Sequence, residues 1–171
     1  MQPLRFTAVA AVVLSFASGA VLADADDHDH ANGNHRQSVT ASFGAGLNTA
    51  QPGNAANHKV LPKVIKVKVG GVVNLAVAGF HHAIVYQPGK ALAHVVVPNA
   101  GLFINDFDRV YYRGIAPAGG PPPATPATLN PSNASNRIET VSFAAPGTCL
   151  VTCNVRPHFL DGMYGYIVVS D

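Results

Sequence analysis

Tryptophan is absent from this 171-residue chain, and only two cysteines (Cys149, Cys153) and two methionines (Met1, Met163) occur in it. Without Trp, a core has to be filled by Phe, Tyr and branched aliphatic side chains. Charge is scarce as well: Asp, Glu, Lys and Arg make up 12% of the residues, eleven basic against nine acidic. No basic stripe or block of like charge stands out, which removes the electrostatic footprint expected of a nucleic-acid or anionic-lipid partner. Long apolar runs are also few. The one candidate, Phe6 to Ala20, includes Ser15, Ser18 and Gly19 and is shorter than the ~20 apolar residues that a membrane span needs.

That run follows a single positive charge, Arg5, and ends in Val21-Leu22-Ala23 before an acidic segment. The pattern fits a cleaved export signal over residues 1–23; a retained anchor is the other reading. Cleavage would leave a chain starting at Asp24 in a periplasm or outside the cell. Residues 24–37 are polar and rich in His and Asp (His28, His30, His35), and read as a disordered leader. Its histidines could hold copper, nickel or zinc loosely, or form a plain solvated tail. The remainder, 38–171, is of single-domain length.

Two cysteines in an exported chain invite a disulfide. If Cys149 to Cys153 is a strand, however, the two Cα atoms stand roughly 13 Å apart at about 3.3 Å per residue. A disulfide needs them within about 7 Å. A thiol left free in an oxidising compartment is protected best by a metal.

The domain reads as many short strands. In Val64-Ile65-Lys66-Val67-Lys68-Val69, apolar and lysine residues alternate as on a half-buried strand, within a candidate running from Val60 to Val69. Gly70-Gly71 breaks it. Further candidates are Val72 to Ala78, His82 to Tyr86, Leu92 to Val97, Ile138 to Phe143, Thr148 to Thr152 and Tyr164 to Val169. Leu102 to Tyr112 could hold one short helix. Ala116 to Asn136, with Pro117, Gly119-Gly120, Pro121-Pro122-Pro123, Pro126 and Pro131, reads as a surface loop. The expected fold class is all-β, a sandwich or barrel.

Within Cys153-Asn154-Val155-Arg156-Pro157-His158-Phe159-Leu160-Asp161-Gly162-Met163, a thiol, an imidazole and a thioether recur every five residues. Phe80-His81-His82-Ala83 supplies a further imidazole far upstream. Zinc sites seldom recruit methionine, and hard cations want oxygen. A thiolate and two imidazoles in a plane, with a weak thioether above, suit copper in an electron-transfer site.

The stretch Ala145 to Val169 resembles the C-terminal hairpin of the cupredoxins, the family of plastocyanin, azurin and rusticyanin. Pro146-Gly147, alternating strand residues, a Cys, then His and Met on the next loop, and Gly165-Tyr166-Ile167-Val168-Val169 match in order. Gly79-Phe80-His81-His82-Ala83-Ile84-Val85-Tyr86 is similar to the segment that delivers the first histidine. The resemblance covers about a third of the chain beyond the signal. It implies a Greek-key β-sandwich, a mononuclear type 1 (blue) copper ion at one end, and one-electron transfer by Cu(II)/Cu(I) cycling.

By the same resemblance, Cys153 is the thiolate ligand, His158 one imidazole ligand and Met163 the weak axial ligand. The first histidine is open between His81 and His82. Sliding the plastocyanin motif onto the chain selects His82 and leaves Ala83 where the family has a hydrogen-bonding Asn. Taking His81 as the ligand puts His82 in that Asn position and keeps a polar group there, so His81 is favoured narrowly; adjacent strand residues face opposite sides, and only one should bind. Cys149 reads as a small buried hydrophobe. Its rival role is in a binuclear copper site like that of cytochrome oxidase, which shares Cys-x3-Cys but wants its His and Met closer behind the second Cys.

A self-contained enzyme is disfavoured. Multicopper oxidases carry His on both sides of the Cys, where this chain has Thr152 and Asn154. A nitrite reductase needs another copper site with three histidines, normally shared between domains. The rival reading from another class is copper storage, delivery or resistance, with the leader as collector. Transient redox proteins would dock near His158, on a patch of Pro157, Phe159, Leu160 and Phe80, and the chain is expected to be a monomer. His58 and His94 lack partners at ligand spacing and read as surface or locally hydrogen-bonded. Asp106, Asp108, Arg109 and Arg113 read as a solvated turn.

Overall fold

Alternation over Val64–Lys68 has its expected consequence: Ile65 and Val67 are buried while Val64, Lys66 and Lys68 face solvent. The computed structural model describes residues 36–44, 55–117, 120 and 136–171. The expected signal peptide (1–23), nearly all of the leader and most of the Pro-rich loop lie outside the described residues.

Among the described residues, nine strands form two sheets. In the first, β1 (Ser38–Gly44) runs antiparallel to β2 (Val60–Leu61) and parallel to β4 (Val72–Ala78), and β7 (Asn136–Ser142) closes the edge antiparallel to β4. The second has the order β3 (Val64–Lys68), β9 (Tyr164–Ser170), β8 (Gly147–Cys153), β5 (Ala83–Tyr86) and β6 (Val110–Arg113). Only the β3–β9 pairing is parallel there. The chain crosses between sheets after β2, β3, β4, β6 and β7, so both sheets are built from distant segments. The sheets pack face to face over one core. Phe43, Leu75, Val77 and Val141 come from one side, and Ile65, Val85, Val151 and Ile167 from the other. Each such side chain taken out of water contributes about 1.5–3 kcal/mol before entropy is counted. The β-sandwich expected from the sequence is the fold observed.

β5 and β8 are buried on both faces. Ala83, Val85, Cys149, Val151 and Cys153 face the main core, while Ile84, Tyr86 and Leu150 form a second cluster outside it. Leu92, Val95, Phe107 and Val110 cover that second cluster. Here two expectations are corrected. Leu92 to Val97 is not a strand: Leu92–His94 is a 3-10 turn with local bonds from His94 N–H to Ala91 O and Val95 N–H to Leu92 O. Its apolar residues lie over the sheet and do not extend it. Leu102 to Tyr112 is not helical: Phe103 bridges Val155, and Val110 opens β6. β1 and a five-residue helix, α1 (Arg156–Leu160), are elements that the sequence reading did not name.

The solvated turn also needs correction. Asp106 is buried, as is Lys90, whose ammonium lies 3.1 Å from Asp106 Oδ2 and 3.2 Å from Asp108 Oδ2. Asp106 Oδ2 further accepts from Val96 N–H, and Oδ1 from Asp108 N–H. No helix among the described residues is long and apolar enough to cross a membrane.

Candidate metal centre

Register brings the two chemistry-bearing segments to one end of the sandwich. Ala83 pairs with Cys153, so the residues preceding β5 and those following β8 emerge side by side. β4 leads to His81 through Gly79, which has φ +105° and so adopts a conformation that side chains disfavour. Gly44 closes β1 against the same spot. A Cβ there would collide with the Ala78 carbonyl and come within 2.7 Å of the His81 ring, so the imidazole needs that glycine's missing side chain.

After Cys153 the chain turns into α1, opened by Pro157 in its first turn. Gly162 (φ +90°) then reverses it toward β9. Two backbone bonds fasten this loop: Cys153 N–H donates to Met163 O at 3.0 Å, and Met163 N–H donates to His158 O at 3.0 Å. The three loop residues singled out in the sequence are thereby held to one another by their own main chain.

Three donor atoms converge here. His81 Nδ1 and His158 Nδ1 are 2.9 Å apart, and Cys153 Sγ stands 3.8 Å from each. This trio is a potential metal-holding group, with His81 and Cys153 buried and His158 partly exposed. Bond lengths of about 2.0–2.3 Å to one shared ion put ligand atoms roughly 3–4 Å apart, so the spacing fits. Met163 is fully buried at the end of the same loop.

His82 is turned elsewhere. Its Nε2–H donates to Gly114 O at 3.0 Å, and its Nδ1 accepts from Asn154 Nδ2 at 3.0 Å. Both ring nitrogens are thus occupied within the protein. Cys149 is buried, unbonded and four residues from Cys153 on the same strand face; both thiols are free.

Electrostatics favour neutral groups at this end. Burial pushes the Cys153 thiol up to about 12, and the His82 and Val155 amides and Arg137 offset this only in part. Only a strongly positive neighbour, such as a bound cation, would make it a thiolate at neutral pH. Burial, followed by the neighbouring His158, His58 and Arg137, lowers His81 to about 3, against a smaller opposing effect of the Ala78 carbonyl. His81 Nε2 is buried with no hydrogen-bond partner. Burial lowers His158 to about 4, as does His58, while Asp161 opposes. Neutral imidazoles are the form that binds metals.

Two participants were not legible in the sequence. His58 is buried, stacks on His158 with ring centroids 3.8 Å apart and planes at 23°, and bonds through Nδ1 to Asp161 Oδ2 at 2.6 Å. The expectation of a surface or locally hydrogen-bonded His58 is corrected: it lies buried between the 3-10 turn Ala55–Asn57 and β2, and its partner is 103 positions away. Arg137 donates from Nη2 to His81 O at 3.2 Å and Ile115 O at 2.6 Å, and from Nε to Glu139 Oε1 at 2.6 Å. Around the site, Phe80, Leu102 and Leu160 are exposed, and Phe80 lies against Phe103 at 6.3 Å.

No known protein family matches the sequence, and no curated protein does. Among solved structures, the chain is similar to an auracyanin from Roseiflexus castenholzii, with 15% identity over 79% of this chain and 98% of that one, TM-score 0.45. It is also similar to a fern plastocyanin, with 16% identity over 77% of this chain and 100% of that one, TM-score 0.41. A third is a copper-containing nitrite reductase from Thermus scotoductus, with 17% identity over 83% of this chain but only 24% of the reductase, TM-score 0.40.

Proposed function

We propose that this chain is an exported, mononuclear type 1 copper protein of the cupredoxin kind, and that it carries single electrons without being an enzyme in its own right. The observation that carries the reading is the convergence of His81 Nδ1, His158 Nδ1 and Cys153 Sγ at one buried end of the sandwich. Two imidazoles and a thiol are the donors that copper takes in such sites. His81, His158 and Cys153 would hold the ion, with Met163 as the weak axial ligand. When bound, copper supplies the one-electron Cu(II)/Cu(I) couple.

The chain's own residues do the rest. Cys153 sits at the end of a central strand and His81 against Gly44, so neither can swing far when the charge at the site changes. The apolar surroundings exclude water. His158 alone of the three reaches toward solvent, beside exposed Leu160 and Pro157. A redox partner docking there would meet a small apolar surface, which suits weak and short-lived encounters.

The test is the visible and EPR spectrum of the protein with one equivalent of Cu(II), beside Cys153→Ser and Cys149→Ser. An intense thiolate-to-copper band with narrow hyperfine splitting, lost only in Cys153→Ser, is expected. A seven-line mixed-valence signal requiring both cysteines would replace this reading with a binuclear site. A pale, ordinary Cu(II) spectrum in all three would sink electron transfer and favour copper storage or delivery.

A further inference from the structure

The geometry points to a dedicated positioning pair, His58 and Asp161, that sets the orientation of the His158 ring. The His58 imidazole lies nearly parallel to that of His158, with centroids 3.8 Å apart, and edge-on to His81 at 5.9 Å. Its own orientation is fixed from the far side, where Nδ1–H donates to Asp161 Oδ2 at 2.6 Å. Short bonds to a carboxylate are the stronger and more directional kind. The His58 side chain is 9% exposed and that of Asp161 41%, so the carboxylate forms the outer rim and the ring the inner wall.

Without this wall His158 would be the least restrained of the three donors. It sits on a helix of five residues with no side-chain cap, and it is only partly buried. His81 is confined by Gly44 and Phe43, and Cys153 by the sheet. A flat stack restricts rotation of His158 about the bond joining ring to backbone, and so keeps Nδ1 aimed at Cys153 Sγ. The pair also joins two segments that the sheets do not: His58 precedes β2, whereas Asp161 ends the loop that carries His158. The ring-holding contact therefore closes that loop onto the frame. His58 and Asp161 are positioning residues, and neither is assigned as a ligand.

The stack itself rests only on the structure, whereas its spectroscopic consequence rests on the copper reading of the site; the two are tested separately. In the metal-free full-length protein, nuclear Overhauser contacts between the His58 and His158 ring protons are expected. They should persist in Asp161→Asn, which keeps an acceptor for His58, and in His58→Phe, between the new ring and His158. In His58→Ala the His158 ring should average over rotamers. Absence of the ring contact in the parent protein overturns the proposal whether or not copper binds.

With Cu(II) bound, His58→Ala should give a more rhombic EPR signal and a shifted reduction potential. His58→Phe should return both toward the parent values, because a stack is restored without the imidazole. Far-UV circular dichroism and the thermal midpoint separate this from misfolding, and the Phe variant keeps the test decisive if the Ala variant does not fold. Parent-like EPR and potential in a folded His58→Ala protein would overturn the positioning role while leaving the copper reading standing.

Discussion

His82 and Asn154 are joined by two hydrogen bonds with both donors on the asparagine: Asn154 N–H to His82 O at 2.8 Å and Asn154 Nδ2 to His82 Nδ1 at 3.0 Å. These residues directly follow His81 and Cys153, so the pair locks the two segments that carry them in register. Asn154 also bonds Asn105 twice, accepting from its N–H and donating to its Oδ1. Asn154→Ala would leave a buried imidazole nitrogen and a backbone amide without partners. A cost of about 1–3 kcal/mol for each uncompensated group follows. Urea unfolding of the metal-free protein should show it; a loss under about 0.5 kcal/mol would mean that the clamp is dispensable.

Some of this was legible in the sequence. The Cys153 to Met163 loop and the strands on either side follow from local pattern, since spacing along one hairpin is preserved in space. Alternation marked β3 correctly because one of its faces meets the core and the other meets water. His82 carries a polar partner, bonding Asn154 and Gly114, but this long-range partnership could not be read from the local sequence. What escaped notice depends on long-range pairing. His58 meets Asp161 across 103 residues, and Lys90 meets Asp106 across a covering loop. Apolar residues at 92–97 resemble a strand because burial requires the same side chains whether they extend a sheet or cover it. β1 is built largely of small and polar residues, so only its pairing with β4 reveals it.

The Lys90–Asp106 pair makes a second prediction. Burial alone would lower the Lys90 ammonium, yet the Asp106 and Asp108 carboxylates hold it raised. Burial works to raise Asp106, yet the Val96 amide, Lys90 and the Asp108 amide hold it below the ordinary carboxylate range. Lys90→Met removes the buried cation from Asp106 and leaves the carboxylate with only its Val96 and Asp108 amide donors, at a cost of about 3–5 kcal/mol near neutral pH. A carboxylate with a lowered folded pKa contributes stability above the ordinary range and loses it as pH falls through the folded value. The variant's deficit should therefore shrink in acid. A deficit that stays constant from neutral pH to pH 3 would contradict the pairing.

The buried histidines also cost stability as pH falls. Burial lowers His82 to about 4 from an ordinary 6.5. Between those values the unfolded chain binds a proton that the folded chain refuses, so stability must fall as pH falls. The slope is at most about 1.4 kcal/mol per pH unit for each such histidine. His81, at about 3, adds in the same sense, and the partly exposed His158 adds less. Chemical denaturation of the metal-free protein between pH 7 and 4 should show this decline, and His82→Asn should remove part of it. Flat stability across the window would mean that these rings accept protons without leaving their places.

Met163 offers the sharpest probe of the axial assignment because its replacement disturbs little else. The side chain is fully buried, and Met to Leu nearly conserves volume, so the fold should lose less than about 1.5 kcal/mol. Both bonds that fasten the loop at this residue use its backbone and survive the change. The donors His81, Cys153 and His158 would remain. A weak axial thioether favours the higher oxidation state slightly, and the axial group is one of the features that tune potential in such sites. Met163→Leu should therefore raise the reduction potential while copper stays bound. Met163→Gln, which substitutes a harder oxygen donor, should lower it. Voltammetry of the two variants beside the parent decides the matter. A fall in the leucine variant, or equal potentials in all three, would place the thioether outside the copper's coordination.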